Sequence, residues 1–431
     1  MKILLLLLLI PQLTFAIKFE QTDDLAAFTN TSGNKLVTNL YQVRDKNLER
    51  FNLEIKPWKG YHWPIALGLL ANRYNDPNFF QQATWRFYHD QFIQNQPEAL
   101  IAEGKINQLS PAEKYDLLIG DDNFSLTKKM WEAGEGEMER VGKITRWAGI
   151  SHGVSLASMN MPMPKNPVKI WSVGKKYLIT FSPDDLKALG ALLWGPGAFN
   201  ASTLGQRCAE NTPARDNNGR PNSSECFDVH PAKFHLALIN YLGVKKKPFY
   251  FDGSFNASIW HYPALGYEFK YFNPRKPQWQ EPLKNAIIAK KHLRNDRFAM
   301  YREDKVKYIV GVQAKILFNP YRLPNREINS NNPRVNVYRY DLELDADHNI
   351  IGGEWYSTRR PDFIWHPPKG FKPKTPIDSQ MSGNWSPTKR LLSAKWAKSA
   401  KEASARGVVT PKIVNVLFNL SNKGLNGYQT R

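Results

Sequence analysis

Three residues have the types and the chain order of a nucleophile, a general base and an orienting carboxylate. Ser151 lies in "WAGISHGVSLAS", where a Trp, a Gly and a Ser–His pair precede small and apolar residues. This pattern predicts that a buried helix begins at Ser151, where backbone N–H groups and the helix dipole stabilise negative charge. The backbone N–H of Ser151 is then the natural oxyanion donor. His235 and Asp252 follow as the candidate base and orienter.

The candidate base and carboxylate lie on two apolar runs that must bring them together. "FHLALINYLGV" (234–244) and "KPFYFDGSFN" (247–256) are separated by a short basic turn, which predicts a β-hairpin. Side chains on neighbouring strands can meet, so Asp252 would orient the His235 ring. The ring would then face the helix start at Ser151.

Each of these residues also has a purely structural interpretation. Ser151 could cap its helix, His235 could be a satisfied half-buried histidine, and Asp252 could end a strand at a turn. His152 and Asp228 are the alternative base and orienter. Because His152 adjoins Ser151 in a helix, its ring should point away, and Asp228 beside a cysteine suits an anchor for the loop.

Local signals predict helices and strands around these residues. Ser110 and Ser182 are N-caps, each followed by a proline at the first helical position. Strands are predicted at 168–171, in "YIVGVQAKILF" and in "RVNVYRYDLELDADHNIIGGEWYS", with a hairpin turn at 345–349.

Composition indicates a folded and strongly basic chain. With 431 residues, 42% hydrophobic and 13% aromatic, it can form two or three domains with real cores. The formal charge of +20 would attract nucleic acid, anionic lipid or an acidic envelope polymer, or it reflects adaptation to a crowded or acidic environment. No recognised nucleic-acid motif accompanies it, so no specific nucleic-acid role is predicted.

The first residues predict export. "MKILLLLLLIPQLTFA" (1–16) has the features of a signal peptide cleaved after Ala16, and it is too short to span a bilayer. An uncleaved membrane anchor is the alternative. No later segment approaches 18 uninterrupted apolar residues. The mature chain is therefore expected to be secreted or periplasmic, with no transmembrane span.

The two cysteines are expected to form a disulfide rather than a metal site. Cys208 and Cys226 flank a polar, Asn- and Pro-rich segment, and an exported chain most simply joins them. Closing this loop contributes roughly 3 kcal/mol. There is no close Cys–Cys pair for zinc, and "DDNFS" (121–125) lacks the ligand pattern of a calcium loop. Neither a metal nor an organic cofactor is expected.

Many blocks of the sequence resemble the transglutaminase-elicitor family of secreted microbial proteins. The likeness extends from about residue 55 to about residue 420. It is carried by blocks that include "PWKGYHWPIALGLLANRY", "LSPAEKYDLLIGDDNFSLTKKMW", "WAGISHGVSLAS", "CFDVHPAKFHLALINYLG", "FYFDGSFNASIWHYP" and "IIGGEWYSTRRPDFIW".

The resemblance implies an α+β fold with a papain-like, transglutaminase-like core. In such a core the helix that carries the nucleophile packs on an antiparallel sheet, with helical regions on its flanks. We predict this domain at 57–380, after a lead-in at 17–56 that could be removed as a pro-segment. A basic helical tail is predicted at 381–431. Its helix at 388–406 is either solvated or a contact for a membrane surface or an anionic polymer.

The resemblance also implies protein-glutamine γ-glutamyltransferase chemistry. A Cys thiolate attacks a Gln side-chain amide and expels ammonia, and the thioester then passes to a Lys amine or to water. The implied partners are proteins that carry Gln and amine groups. Matching blocks give the base role to His235 and the orienting role to Asp252. They place Trp147, His152 and Trp260 in the substrate-binding cleft.

The chain departs from the family at the nucleophile. The family block looks like "W-x-G-x-C-H-G-W-x-P-A-S", whereas this chain has Ser151, Val154 and Leu156 at the Cys, aromatic and Pro positions. A thiol with a pKa of about 8.5 is partly ionised near neutrality. A serine hydroxyl instead needs a base and an oxyanion hole built for it.

Three hypotheses follow from this departure. The chain is an inactive relative that serves as a basic binding protein for a protein or an anionic envelope partner, or it is a Ser-dependent acyltransferase or hydrolase with a reshaped pocket. The third hypothesis is a deliberate Cys→Ser replacement, against which the changes at Val154 and Leu156 argue.

Overall fold

The computed structural model describes residues 23–55, 57–79, 84–94, 96–208, 210, 212–253, 258–324 and 333–427. The predicted signal peptide at 1–16 lies outside these residues. Within them the helices are α1 (Leu25–Thr29), α2 (Leu40–Asp45), α3 (Trp85–Gln94), α4 (Pro97–Ala102), α5 (Pro111–Ile119), α6 (Ser125–Val141), α7 (Ser151–Asn160), α8 (Pro183–Trp194), α9 (Pro231–Ala237), α10 (Leu283–Ala286), α11 (Ala394–Ser404) and α12 (Pro411–Lys423).

Antiparallel strands supply the other half of this α+β fold. The strands are β1 (Arg50–Asn52), β2 (Val168–Trp171), β3 (Leu178–Phe181), β4 (Ser202–Gly205), β5 (Tyr250–Asp252), β6 (His261–Pro263), β7 (Gly266–Phe272), β8 (Gln280–Glu281), β9 (Ile288–Ala289), β10 (Tyr308–Phe318), β11 (Arg334–Leu344), β12 (Ile350–Gly352) and β13 (Phe363–His366).

In the described part of the chain these strands form three sheets. The large sheet has the order β1-β7-β10-β11-β12, with β8 beside β7 and β9 beside β10. The smaller sheet has the order β4-β13-β5-β6, and β2 pairs with β3. The predicted α+β class is confirmed.

The local helix and turn signals are confirmed. The Ser110 hydroxyl accepts from the backbone N–H of Glu113, whose carboxylate accepts from the N–H of Ser110. Ser182 and Asp185 form the same capping box at the start of α8. The strand predicted at 168–171 is β2, and the turn at 345–349 joins β11 to β12. Each of these signals depends on residues that are close in sequence, so the local structure that it predicts does not depend on how distant segments pack.

The strand predicted at 234–244 is wrong. It forms the end of α9 and a π-helical continuation, Leu238–Val244, both largely buried. A short and mostly apolar run cannot be assigned by periodicity, because a fully buried helix and a fully buried strand look alike. The neglected signal is Pro231, which occupies the first turn of α9 after His230 as N-cap.

The second run of the predicted hairpin is only partly a strand. Within 247–256 the described strand is β5, and residues 254–256 lie outside the described part of the chain. The antiparallel partner of β5 on one side is the later strand β6, with Asp252 opposite His261. The predicted hairpin is therefore replaced by pairing with a strand that follows in sequence.

Among the described residues, two large hydrophobic cores support the sheets and helices, beside two smaller clusters. The first core lies between the helices and includes Tyr115, Trp131 and Phe418. The second core lies on the large sheet, under α1 and α9, and includes Phe269 and Tyr340. Helix α7 contributes to the first core, whereas α9 contributes to the second.

The C-terminal helices belong to the first core. Trp396, Ala397 and Ala400 of α11 are buried there, and α12 packs on α8. The basic helix therefore has one apolar face covered by the first core, while Lys395 and Lys398 on it are exposed. Its contact with a membrane surface or an anionic polymer stays a prediction. The domain boundary at residue 380 stays a prediction. Over the described residues, no helix combines the length and the apolar character that crossing a bilayer requires.

Candidate functional site

Helix α7 begins at the predicted position and is held there by the backbone of a distant segment. Ser151 is its first residue and is buried, and Ile150 is the N-cap. The N–H of Ile150 donates to the carbonyl of His62 at 2.9 Å, and the N–H of Ile65 donates to that of Ala148 at 2.8 Å. Ser151 therefore does not occupy the N-cap position that its structural interpretation requires.

Two glycines around Ser151 are required by close packing. A Cβ at Gly149 would lie 2.6 Å from the carbonyl oxygens of His62 and Trp63. A Cβ at Gly153 would collide with the carbonyl oxygen of Ala191 in α8. The glycines of the "WAGISHG" stretch thus let α7 pack directly on two neighbouring backbones.

We expect Gly153→Ala to lower the free energy of unfolding by about 1–3 kcal/mol, because α7 and α8 must separate to admit the methyl group. The matched control is Gly136→Ala, since Gly136 is in α6 with nothing within 4 Å of an added Cβ. At Gly136 the same change should raise the free energy of unfolding by roughly 0.5–1 kcal/mol, because Ala has the higher helix propensity. Urea unfolding of both variants checks this. Equal effects at the two glycines would contradict the packing argument.

The side chain that reaches the first turn of α7 is that of Tyr321. Its hydroxyl lies 3.2 Å from the Ser151 carbonyl oxygen and 3.2 Å from the Ser155 Oγ, and it donates to the carbonyl of His261. Burial raises the pKa of Tyr321 well above its usual range, and hydrogen bonding to Ser155 and Ser151 offsets this only in part. A neutral phenol therefore contacts the backbone of the residue that carries the candidate nucleophile.

The imidazole of His152, in the first turn of α7, faces the imidazole of His261 at the start of β6. The rings of His152 and His261 are nearly perpendicular, with centroids 5.8 Å apart. Trp365 donates its indole N–H to Nδ1 of His261 at 2.9 Å, which leaves the ring proton on Nε2. Burial lowers the pKa of His152 to about 4 and that of His261 to about 3, the latter also because of His152. Both rings are uncharged at neutral pH.

The structure does not bring His235 to Ser151. The His235 ring is fully buried in the second core, where it stacks on Phe269 with centroids 4.1 Å apart. Its Nδ1 lies 2.8 Å from the Tyr340 hydroxyl, and its Nε2 has no hydrogen-bond partner among the described residues. Because α9 is a helix on the large sheet, it directs this ring toward β7 and β11. The hydrogen bond that the predicted triad requires between Ser151 and His235 is absent.

Asp252 and Trp260 lie together on the α7 side of the smaller sheet. A carboxylate oxygen of Asp252 accepts from the backbone N–H of Trp260 at 2.9 Å. The Trp260 ring lies 5.0 Å from the ring of His62 and 5.8 Å from that of Tyr321, measured between centroids. Asp252 thus positions a candidate cleft residue, and no hydrogen bond links it to His235 among those the structure describes.

The remaining predicted residues lie at or near the cystine loop. The guanidinium of Arg207 lies over the Trp147 ring, 5.5 Å from its centroid. Cys208 and Cys226 form the predicted disulfide, with an S–S distance of 2.05 Å. Asp228 accepts a hydrogen bond from Arg360, which suits the anchoring role rather than that of a catalytic orienter. In the described part of the chain, no three acidic, His or Cys side chains are grouped as metal ligands.

Sequence reasoning missed His62, His261 and Tyr321. The first two lie in the aromatic blocks "PWKGYHWP" and "IWHYP", and that clustering was their only signal. Tyr321 follows β10 in "NPYRLP", a polar connection with no local sign of its contact with α7. Its hydroxyl meets a carbonyl 170 residues away along the chain, and no local pattern encodes such a separation.

Comparisons with known proteins found a matching family model and a solved structure with a similar fold. The sequence model of the transglutaminase elicitor family matches residues 24–396. The fold is similar to the crystal structure of the GP42 transglutaminase from Phytophthora sojae, with a TM-score of 0.56 and 19% identity over 93% of this chain and 97% of that chain. At this identity the similarity shows a shared fold alone. No curated protein matches the sequence.

Proposed function

Because the chain belongs to the transglutaminase elicitor family, we propose that it is an exported transglutaminase-like protein that has lost acyl transfer and binds a protein partner. One observation carries the proposal: the predicted base His235 is hydrogen-bonded to Tyr340 and stacked on Phe269 in the second core, while the side chain that hydrogen-bonds to the Ser151 backbone is the phenol of Tyr321. A neutral phenol with a raised pKa does not remove a proton from serine. The proposal therefore leaves Ser151 without the base that the predicted triad would supply.

The nearby imidazoles do not supply the missing base. A general base works best when its pKa lies near the operating pH, and serine is a weaker acid than cysteine. His152 and His261, with pKa values of about 4 and about 3, bind a proton poorly. An ion pair between a thiolate and an imidazolium, which a cysteine enzyme would exploit, is also disfavoured in this apolar surrounding.

The mouth of the site supports a binding role. His62 and Trp260 lie together and are partly exposed, and Trp147, four residues before Ser151, is partly exposed under the positively charged guanidinium of Arg207. Amphipathic aromatic rings and Arg are the side chains enriched at protein interfaces. A segment of another protein that carries a Gln or Lys side chain suits this surface. The formal charge of +20 would steer acidic partners toward it.

We expect neither ammonia release nor incorporation of a fluorescent amine into a Gln-bearing protein by the natural chain, and the same result for Ser151→Ala. Ser151→Cys restores the nucleophile but not a base with a pKa near neutrality, so it should remain far below a working transglutaminase. Binding of the Gln-bearing protein should be weakened by Trp260→Ala. The matched control is Trp279→Ala, because Trp279 is 64% exposed outside the site.

A Ser-dependent acyltransferase is the second candidate. It is favoured by the pairing of Asp252 opposite His261 on strands next to α7, which places a carboxylate and an imidazole on one hairpin. Ammonia release by the natural chain that disappears in Ser151→Ala would establish this candidate and refute the proposal that the chain has lost acyl transfer. Strong activity in Ser151→Cys alone would show that only the nucleophile is missing.

A further inference from the structure

A cavity of about 600 Å³ opens at the other end of α7. Asn160 and Met161, where α7 ends, line it together with the last residues of α8 and one face of α12. Ser151 is nine residues earlier in the same helix, which corresponds to roughly 14 Å along its axis. The cavity is therefore separate from the candidate site at the start of α7, and its size is typical of a small-molecule pocket.

Aromatic and aliphatic side chains form the apolar part of this cavity. Trp194 and Phe371 are both partly exposed, with ring centroids 5.9 Å apart and planes at 64°. Met161, Leu193 and Phe418 lie beneath them. A rigid ring with apolar C–H groups can pack on such aromatic faces, because the faces carry partial negative charge.

Amide groups supply the polar part. Asn415 and Asn419 are one turn apart on α12, are exposed, and line the cavity. Their side chains make no hydrogen bond with any residue that the structure describes. An amide both donates and accepts, so a row of amides matches a ligand with several hydroxyl groups.

The charge at the cavity is positive. Phe371 and Lys372 come from "HPPKGFKPKTP" (366–376), which also carries the exposed Lys369 and Lys374. This segment contains no Asp or Glu, and none of the residues that line the cavity is acidic. The ligand should therefore carry negative charge at one edge.

We propose that this cavity binds an acidic oligosaccharide, that is, a chain of sugar rings with carboxylate groups. The C–H faces of the pyranose rings pack on Trp194 and Phe371, the hydroxyl groups pair with the Asn415 and Asn419 amides, and a carboxylate pairs with Lys372. A nucleic acid suits the cavity less well, since phosphate contacts call for several cationic groups, and among the described residues that line it Lys372 is the one cation. The site does not depend on any activity at Ser151.

The test is calorimetric titration of the full mature chain with a galacturonate hexamer at 0.15 M salt, and with its fully methyl-esterified, neutral form. We expect saturable binding of the acidic hexamer, and binding of the neutral form weaker by about tenfold or more. Lys372→Glu and the double change Asn415→Ala with Asn419→Ala should each weaken binding by about tenfold. These positions are exposed, so the variants should fold normally.

The matched control is Lys276→Glu, which makes the same charge change at an exposed position outside the cavity. It should alter the affinity by less than about twofold, because at this salt concentration distant charges are screened. Equal weakening by Lys276→Glu and Lys372→Glu would overturn the proposal in favour of nonspecific attraction. Absence of saturable binding would also overturn it. So would tighter binding of a single-stranded oligonucleotide of equal charge that is lost in Lys372→Glu.

Discussion

Arg302→Leu is expected to lower the free energy of unfolding by about 3–5 kcal/mol, because removing one partner of a buried ion pair leaves the others uncompensated. The Arg302 guanidinium is buried among three carboxylates. It pairs with Asp341 at 2.7 Å, with Glu343 at 2.9 Å and with Asp296. Asp341 and Glu343 lie on β11, so the network ties the segment before β10 to the large sheet.

The carboxyl groups around Arg302 are buried and need its positive charge to remain ionised. Burial raises the pKa of Glu343 to about 7 even though Arg302 lowers it. Without the guanidinium, the buried carboxylates of Asp341 and Glu343 lose the cation that compensates their charge, and this loss costs free energy. Chemical denaturation of the purified variant at pH 7 measures this loss.

The control for this prediction is Arg294→Leu, which removes an exposed guanidinium from the same region. Its effect should stay within about 0.5 kcal/mol, as for most surface substitutions. A loss below about 1 kcal/mol for Arg302→Leu would mean that the carboxylates relax into water, and the network would not hold the sheet together as we describe.

His235→Gln is expected to gain stability relative to the natural chain as the pH falls below about 6.5, by about 1.4 kcal/mol for each pH unit down to about pH 4. Burial lowers the pKa of His235 to about 3, so the folded state keeps this ring neutral. The unfolded chain takes up a proton there at its ordinary pKa of 6.5. The contribution of the neutral ring is therefore complete above pH 6.5 and is lost as the pH falls toward 3.

Comparing the variant with the natural chain isolates this effect from other titrations. Burial raises the pKa of Asp116 and of Glu354 to about 8. These carboxyl groups therefore lower the free energy of unfolding as the pH rises from about 4 to about 8, which is the opposite of the pH dependence that His235 produces. Their contributions cancel in the difference. The Gln amide retains a hydrogen-bonding group toward Tyr340 but does not titrate.

The measurement is urea unfolding at several pH values between 4 and 7 for the natural chain, His235→Gln and His292→Gln. His292 is exposed, so its replacement should leave the pH dependence unchanged. A pH-independent difference between His235→Gln and the natural chain would mean that the imidazole is accessible to protons in the folded state. That result would reopen the question of whether His235 acts as a base.

The local architecture was largely predictable because its signals are short in range. The capping boxes at Ser110 and Ser182 and the turn between β11 and β12 depend on side chains within a few residues of one another. The eleven-residue strands β10 and β11 are long enough to be recognised as strands. The start of α7 at Ser151 was also predictable from its glycines and small residues.

The sequence by itself determined the α+β class, the family, the disulfide and the position of the serine at a buried helix start. Tertiary structure alone decided which groups meet that serine. The mostly apolar run 234–244 folds as a helix on the large sheet and takes His235 into the second core, while Tyr321 reaches α7 from beyond β10. These outcomes depend on packing between segments that are more than 80 residues apart in sequence. The hydrophobic effect is not directional, so the local sequence of an apolar segment does not specify which distant segment packs on it.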